Sequence, residues 1–365
     1  MSCSTATKEQ HEALEAVTIS FNDLQSESDL SREIEEAFGF EGLGLILIKD
    51  FPEFQKKREK ILRAIRDFAL LPDETKEKYA LPEAHYSVGW SHGKEKMKNG
   101  IPDIAKGSYY ARPHADVVTE NEELKAKYPS TYLDNVWPKA ECPSLEIAFK
   151  DMAKVQIDLG LHMCKLFDRY LHKQTGGKHE LDRFYNMLKD SVAYKGRMLH
   201  YFPVEPELNS SIDGLCGWHL DHGCITCLLS PLYLDLEGNT LPKPEECGLY
   251  VKSPRNGSIN KVDIPIDCLA IQLGEFFQIL SGGLLRATPH CVRSSKSLNI
   301  TREQLAMFMD CSPTQLLELP EFSLPRDRVF NTPFLPEGVP ELKSRIVGAE
   351  TYRDFANNTF KAYLQ

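Results

Sequence analysis

The hydrophobic pattern changes from helical to strand-like along the chain. In residues 144–171, apolar side chains recur at steps of three and four while lysines and aspartates fill the opposite face, which predicts one long amphipathic helix. The alternation of residues 17–21 and the apolar run 43–48 predict two strands. Three shorter helices are predicted, over residues 28–38, 53–69 and 351–364.

The half of the chain after residue 178 carries short apolar runs that are separated by turns. The predicted strands lie at residues 194–202, 225–229, 249–252, 268–271, 276–280 and 300–309. Many short strands at this spacing are typical of a sandwich, a jelly roll or a barrel. Residues 82–143 have few regular patterns, and we expect long loops with short elements there.

The chain has no internal repeat, low-complexity tract or obvious linker, so a single composite domain is predicted. Its regions are a polar tail (1–16), an N-terminal α/β region (17–125), a long backbone helix region (126–180), a strand-rich core (181–315) and a C-terminal extension with a terminal helix (316–365).

Composition narrows the class of protein. The 365 residues carry a net charge of −10, which argues against nucleic acid or an anionic membrane as the main partner. Ten cysteines are scattered rather than clustered, and neither a signal peptide nor a membrane-spanning run is present. We therefore expect a cytoplasmic protein with reduced thiols. The sequence does not indicate an oligomeric state.

Two His-x-Asp triplets are candidate metal ligands, because residues two apart on a strand project to the same face. They are His114-Ala-Asp116 and His219-Leu-Asp221. The second one precedes a predicted strand, and His290 lies downstream in the same strand-rich region. Two histidines and one carboxylate form the facial triad that leaves open positions on Fe(II). A structural zinc site would need a fourth ligand, and none is obvious.

A candidate anion-binding cation follows on the last predicted strand. Alternation places Arg302 and Gln304 on one face of that strand, together with Ile300, Ala306 and Phe308. If that face lines the interior of the strand-rich core, Arg302 is a buried cation that needs an anion. Its planar guanidinium suits a carboxylate. A solvent-facing arginine, or one paired with a core aspartate, fits strand parity equally well. Arg286 and Arg293 flank His290 and are rivals for the same role.

Several motifs together resemble the iron(II)/2-oxoglutarate-dependent dioxygenase superfamily, in the branch that includes isopenicillin N synthase. The matching segments are Leu71-Pro-Asp-Glu-Thr-Lys76, Tyr201-Phe-Pro203, His219-Leu-Asp-His-Gly-Cys-Ile-Thr226, residues 273–283 and Ala287-Thr-Pro-His-Cys-Val292. The resemblance covers residues 17–313. It implies a mixed α/β fold with a mainly β core, a double-stranded β-helix (jelly roll) flanked by helices, and makes residues 181–315 the catalytic core.

The resemblance also assigns roles to residues. His219, Asp221 and His290 are implied as iron ligands, with no catalytic residue beyond them. Arg302 is implied to bind the distal carboxylate of 2-oxoglutarate. Near the implied co-substrate site, this sequence differs from the family's pattern in two respects.

The first departure is Gln304, which stands where the family has a serine. The second is that His200 and Phe202 are matched to the family's asparagine and tyrosine. We therefore expect Arg302, Gln304 and His200 to contact the co-substrate.

The implied activity is the hydroxylation, desaturation or ring closure of a small organic molecule with Fe(II), O₂ and 2-oxoglutarate, releasing succinate and CO₂. Ascorbate would be an optional reductant. Two alternatives stay open: an Fe(II)/O₂ oxidase of the same fold that does not use 2-oxoglutarate, and a catalytically silent metal-binding scaffold.

Overall fold

The computed structural model describes residues 15–26, 28–94, 102–203, 216–293, 295 and 297–364. The helices are α1 (Phe21–Gln25), α2 (Ser31–Phe38), α3 (Phe54–Ala69), α4 (Asp73–Lys76), α5 (Glu122–Lys127), α6 (Pro129–Tyr132), α7 (Pro143–Gln174), α8 (Arg183–Lys189), α9 (Glu275–Leu280), α10 (Arg326–Phe330), α11 (Leu342–Arg345) and α12 (Tyr352–Leu364). None of them is both long and apolar enough to cross a membrane.

The strands are β1 (Thr18–Ser20), β2 (Leu45–Lys49), β3 (Gly89–His92), β4 (Lys106–Ala111), β5 (Lys195–Tyr201), β6 (Cys216–His219), β7 (Ile225–Leu229), β8 (Leu232–Leu234), β9 (Gly248–Lys252), β10 (Ile259–Val262), β11 (Leu269–Leu273), β12 (His290–Arg293) and β13 (Thr301–Met309). They form two sheets. The larger has the order β1-β2-β11-β7-β13-β5-β4-β3 with β8 beside β13, and the smaller has the order β10-β9-β12-β6.

A cavity lies between the two sheets and is lined from both. Leu199 of β5 and Gln304 of β13 reach it from the larger sheet, and Leu249 of β9 and His290 of β12 reach it from the smaller one. The helices pack outside the strands. The predicted mixed α/β fold with a jelly-roll core is therefore confirmed.

Helix α7 covers the face of the larger sheet that is turned away from this cavity. Its apolar stripe is buried, and the helix approaches β5 so closely that a Cβ on Gly196 would lie 2.2 Å from Phe149 Cε2. Because side chains alternate along a strand, Leu305 and Met307 of β13 pack into the apolar core while Arg302 and Gln304 face the cavity. This alternation separates the core from the site.

One predicted strand is wrong. Residues 276–280 were predicted as a strand, but they lie in helix α9, where every side chain from Glu275 to Leu280 is buried. A short run that is apolar on all sides has no period that distinguishes a strand from a buried helix. Residues 82–143 contain the short strands β3 and β4, in agreement with the expected loops and short elements, and both strands extend the larger sheet.

Replacing Glu275 with glutamine should lower the free energy of unfolding by about 3 kcal/mol, because it leaves a buried guanidinium without its counter-charge. Arg345 Nη2 and Nη1 donate to the Glu275 carboxylate at 2.5 and 2.7 Å, and both side chains are 1% exposed. Urea unfolding measures this cost. The matched control is Glu59→Gln, which breaks an exposed pair with Arg63 and should cost less than about 1 kcal/mol. Equal costs for the two variants would contradict the prediction.

Candidate metal centre

Three predicted ligands from distant parts of the chain meet at one end of the cavity between the sheets. One ligand atom each from His219, Asp221 and His290 lies within 4.8 Å of the other two. His219 ends β6 and pairs directly with His290 of β12 across the smaller sheet. Their ring centroids are 4.3 Å apart, and Asp221 Oδ1 lies 3.9 Å from His219 Nε2. The structure thus brings the whole predicted triad together.

Backbone carbonyls fix the tautomer of both histidines. Nδ1 of His219 donates to the carbonyl of Gly217 at 2.8 Å, and Nδ1 of His290 donates to the carbonyl of Thr288 at 3.2 Å. Since a carbonyl only accepts, each Nδ1 carries the proton and each Nε2 keeps its lone pair. Such outer hydrogen bonds are the usual means of orienting metal-binding imidazoles.

The charge states of the triad also suit a cation. Burial lowers the pKa of His290 to about 4, and the neighbouring His219 acts in the same direction. Burial by itself would raise the pKa of Asp221, but His290 and His219 outweigh it and lower that pKa. Asp221 Oδ2 is buried, and no described residue hydrogen-bonds to it. A neutral imidazole and an unsatisfied carboxylate oxygen are the donors that a divalent ion requires.

Helix α9 holds the loop that carries Asp221. The backbone N–H of Glu275 donates to the carbonyl of Asp221 at 2.8 Å, and the N–H of Phe276 donates to the carbonyl of Gly223 at 3.1 Å. Asp221 lies two residues beyond the end of β6, so this anchorage, not strand geometry, sets its position. The buried Glu275–Arg345 pair stabilises the same helix end.

Arg302 projects into the inner cavity, which decides between the alternatives that strand parity left open. Its side chain is 5% exposed, and its guanidinium lies over the Tyr201 ring at 4.7 Å. Nη2 donates to Gln304 Oε1 at 3.1 Å, whereas Nε and Nη1 have no acceptor among the described residues. A buried cation with two unsatisfied donors is costly unless an anion completes its shell. The cavity between Arg302 and the triad measures about 100 Å³.

Gln304 positions the guanidinium. Its Nε2 donates to the carbonyl of Leu229 at 2.7 Å, which turns its Oε1 toward Arg302. The longer amide therefore takes up space beside the cation and anchors it to β7 at the same time. Gln304 lines the inner cavity, as predicted.

The structure does not bring His200 into this cavity. Its Nδ1 lies 2.8 Å from Glu303 Oε2, and both side chains are fully buried on the opposite side of the sheet. Leu199 and Tyr201 line the cavity instead. The β5–β13 register could have revealed this, because Tyr201 pairs with Arg302 and Leu199 pairs with Gln304. The predicted contact of His200 with the co-substrate is therefore not found at this cavity, which Leu199 and Tyr201 line instead of His200 and Phe202.

The rival candidates have other partners. Arg286 Nη1 and Nη2 donate to backbone carbonyls of Arg328 and Asn331. The Arg293 guanidinium stacks on the Tyr250 ring at 4.3 Å. Neither side chain lines the inner cavity, where Arg302 is accompanied by Lys106, Arg197 and Lys243. Lys106 pairs with Asp103, Lys243 pairs with Asp263, and Arg197 donates to Ser108.

The other His-x-Asp triplet is structural. Asp116 Oδ1 accepts from Trp137 Nε1 at 2.7 Å, and Oδ2 accepts from Lys150 Nζ at 2.8 Å. His114 packs against Tyr194, with ring centroids 4.8 Å apart. These contacts tie the loop after β4 to helix α7.

A second, wider cavity adjoins the triad. It measures about 730 Å³, and His219, Asp221, Arg197 and Phe308 line both cavities. The two ligands therefore stand at the boundary between a narrow inner cavity and a wide outer one. Sequence reasoning did not identify the outer cavity, because helix α12 and the loop after β4 contribute to its wall from distant parts of the chain.

Comparisons with known proteins agree with this geometry. Residues 15–140 match the family described as the non-haem dioxygenase in morphine synthesis N-terminal region. None of the curated proteins compared with the chain gives a match.

Solved structures share the fold. A protein from Caulobacter crescentus that is assigned to the 2OG-Fe(II) oxygenase family is 21% identical, with a TM-score of 0.69 over 95% of this chain and 99% of that chain. Neurospora crassa T7H, in complex with α-KG and thymine, is 21% identical, with a TM-score of 0.62 over 88% of this chain and 93% of that chain. JOX2, in complex with 2OG, Fe and JA, is 17% identical, with a TM-score of 0.60 over 88% of this chain and 81% of that chain.

At these identities the structural likeness concerns the fold, and the sequence match concerns the N-terminal third. Together they confirm the resemblance of this chain to the 2OG-Fe(II) oxygenase superfamily.

Proposed function

We propose that this protein is an Fe(II)- and 2-oxoglutarate-dependent oxygenase. It would hydroxylate, desaturate or ring-close a small organic molecule and release succinate and CO₂. The observation that carries the proposal is the pairing of an intact His219–Asp221–His290 triad with Arg302, whose buried guanidinium faces the same cavity with two unsatisfied donors.

The triad fits Fe(II). Two imidazoles and one carboxylate are the donor set of non-haem iron oxygenases, and the three ligands leave coordination positions open. Iron(II) held there would supply the activation of O₂, which amino-acid side chains do not supply. Asp221 contributes the negative charge, while the Gly217 and Thr288 carbonyls keep both Nε2 atoms unprotonated.

Arg302 supports the use of 2-oxoglutarate. A guanidinium binds a carboxylate through its N–H groups, and Nε and Nη1 of Arg302 have no acceptor among the described residues. Tyr201 packs beneath the guanidinium, and apolar side chains of Leu199, Leu228 and Leu249 line the same cavity. An apolar lining strengthens the ion pair by keeping water away.

The eight cysteines whose side chains the structure describes are free and buried, which supports the proposal of a cytoplasmic location. Ascorbate would act as a reductant that keeps the metal ferrous.

Turnover tests the proposal without knowledge of the substrate. Protein incubated with Fe(II), ascorbate and 1-¹⁴C-2-oxoglutarate should release ¹⁴CO₂ slowly, and the His219→Ala variant should not. Organic molecules that fit the outer cavity should accelerate the release. Equal release from both proteins across a substrate screen would contradict the proposal.

Replacing Gln304 with methionine should raise the KM for 2-oxoglutarate about fivefold and leave kcat nearly unchanged, because one hydrogen bond that orients Arg302 is worth about 1 kcal/mol. Methionine keeps the length of the side chain but loses the contact with Leu229 and the acceptor for Arg302. Titration of 2-oxoglutarate in the CO₂ assay measures the effect. The matched control is Gln315→Met, outside the cavity. An unchanged KM in Gln304→Met would show that Arg302 needs no such support.

A further inference from the structure

The outer cavity carries a cluster of cations that the binding of iron and 2-oxoglutarate does not use. Arg112, Lys195, Arg197 and Arg353 line it, and His219 and Asp221 line it from the metal site. Among the described residues, Asp310 is the one carboxylate that lines the cavity besides the metal ligand Asp221. Positive charge is therefore concentrated where a second substrate would approach the triad.

Lys195 lies at the centre of this cluster. It begins β5, two residues before Arg197, so both side chains project from the same face of the strand. Burial and the neighbouring Arg112 lower the pKa of Lys195 to about 7, with Arg197 and Arg353 acting in the same direction and Asp310 opposing them. Its Nζ lies 5.8 Å from the centre of the Tyr110 ring, and no described carboxylate forms an ion pair with it.

Arg112 adds an unsatisfied donor. Its side chain is 2% exposed, and Nη2 donates to the carbonyl of Ser130, whereas Nε has no acceptor among the described residues. The Arg353 guanidinium stacks on the Tyr128 ring at 4.9 Å and has no carboxylate partner within the described part of the chain. Arg197 Nε donates to Ser108 Oγ at 3.0 Å.

The acidic group nearby does not neutralise the cluster. Asp310 Oδ1 accepts from the N–H of Cys224 at 3.4 Å, and burial raises the pKa of this carboxyl. This one carboxyl of raised pKa faces Arg112, Lys195, Arg197 and Arg353, and also Lys94, which pairs with Glu77. Holding like charges together in a partly buried wall costs free energy, and an anionic ligand would recover it.

Part of the cavity wall is apolar or aromatic, and serine, threonine, asparagine and histidine side chains also line it. Leu220, Phe308, Tyr352 and Phe360 line it beside the metal ligands. A wall of this kind suits a hydrocarbon or aromatic body, while the cations suit a charged end. At about 730 Å³ the cavity is large enough for an organic molecule well beyond the size of a small diacid.

We propose that the molecule oxidised by this protein is an organic carboxylic acid, whose carboxylate binds to Lys195 and Arg112 and whose apolar body extends toward His219 and Asp221. The proposal rests on the oxygenase function proposed above and names its substrate class.

Binding to the Zn(II)- and 2-oxoglutarate-loaded protein tests this without turnover, because zinc takes the same ligands and is redox-inert. Dissociation constants are measured by ligand-observed NMR for matched pairs of acid and primary amide: phenylacetic acid and phenylacetamide, 4-phenylbutyric acid and its amide, and octanoic acid and its amide. We expect at least one acid to bind about tenfold more tightly than its amide, which corresponds to about 1.4 kcal/mol. Phenyl phosphate should bind more weakly than that acid.

Variants of the cavity residues show which side chains cause the preference for the acid over its amide. In Lys195→Met the acid should lose its advantage to within about threefold, and Lys195→Arg should retain it. Arg353→Gln, a change in a partly exposed side chain, should reduce it by a smaller factor. Lys139→Met, a change in an exposed lysine outside the cavity, should retain it in full. Matching melting temperatures show that the variants are folded.

Two results would overturn the inference: acids and amides binding equally throughout the panel, or a preference that survives both Lys195→Met and Arg353→Gln. Tighter binding of phenyl phosphate would overturn the choice of a carboxylate. Failure of the proposed function is detected separately, because the Fe(II)-loaded protein would then show no response to 2-oxoglutarate whatever the acids do.

Discussion

Asp221→Asn should abolish iron-dependent turnover while leaving the protein folded. Asparagine has nearly the same shape as aspartate, but it is neutral and offers one oxygen in place of two. In this site the carboxylate is the only anionic ligand, and its Oδ2 has no hydrogen-bond partner among the described residues, so a metal ion is its natural counterpart.

We expect the affinity for Fe(II) to fall by more than about 100-fold, because losing even an outer hydrogen-bond partner of a ligand costs 10–100-fold. Anaerobic titration with Fe(II) measures this. The control is Asp116→Asn, the aspartate of the other His-x-Asp triplet, whose oxygens are occupied by Trp137 and Lys150. Asp116→Asn should bind iron normally although it is less stable. Undiminished iron binding by Asp221→Asn would show that the ligand set is misassigned.

Arg302→Met should raise the KM for 2-oxoglutarate about 100-fold or more and leave iron affinity unchanged. Each hydrogen bond to a charged group contributes about 1.5–3 kcal/mol to binding, and the Arg302 guanidinium would form two such bonds with the distal carboxylate of 2-oxoglutarate. Methionine keeps the apolar contact with Tyr201 but has no donor, so the loss is assigned to the charge and its hydrogen bonds and not to packing.

The control for Arg302 is Arg293→Met, which removes a guanidinium from the strand that carries His290. Arg293 stacks on Tyr250 and does not line the inner cavity, so its KM for 2-oxoglutarate should stay within about threefold of the wild-type value. If the KM for 2-oxoglutarate rose more in Arg293→Met than in Arg302→Met, Arg293 and not Arg302 would be the residue that binds the carboxylate.

The parts of the site that the sequence predicted are those set by local periodicity. Alternation along one long strand is enough to place Arg302 and Gln304 on a common face, and β13 keeps that alternation without a bulge. The metal ligands could be proposed because His219 and Asp221 are close in sequence and His290 follows in the same strand-rich region. The sequence did not show how the three ligands come together. In the structure, His219 and His290 are paired across neighbouring strands of the smaller sheet.

The parts that were missed depend on contacts between distant segments. His200 was expected at the co-substrate, but its place was decided by a buried pairing with Glu303 on a neighbouring strand, which a single strand's sequence does not reveal. Residues 276–280, which lie in helix α9, were predicted as a strand. All side chains of this helix are buried, so its sequence lacks the alternation of apolar and polar residues that would indicate a helix. The cations of the outer cavity lie on β5, after β4 and on α12, so no motif joins them.

The most direct test of the central claim is anaerobic addition of 2-oxoglutarate to the Fe(II)-loaded protein, followed in the visible spectrum. If the triad and Arg302 act on one small cavity as described, a metal-to-ligand charge-transfer band should develop and saturate with one equivalent of 2-oxoglutarate per iron. It should be absent in Asp221→Asn and should require much higher concentrations in Arg302→Met. A protein that binds one Fe(II) tightly at this site, yet shows no band at saturating 2-oxoglutarate, would contradict the account.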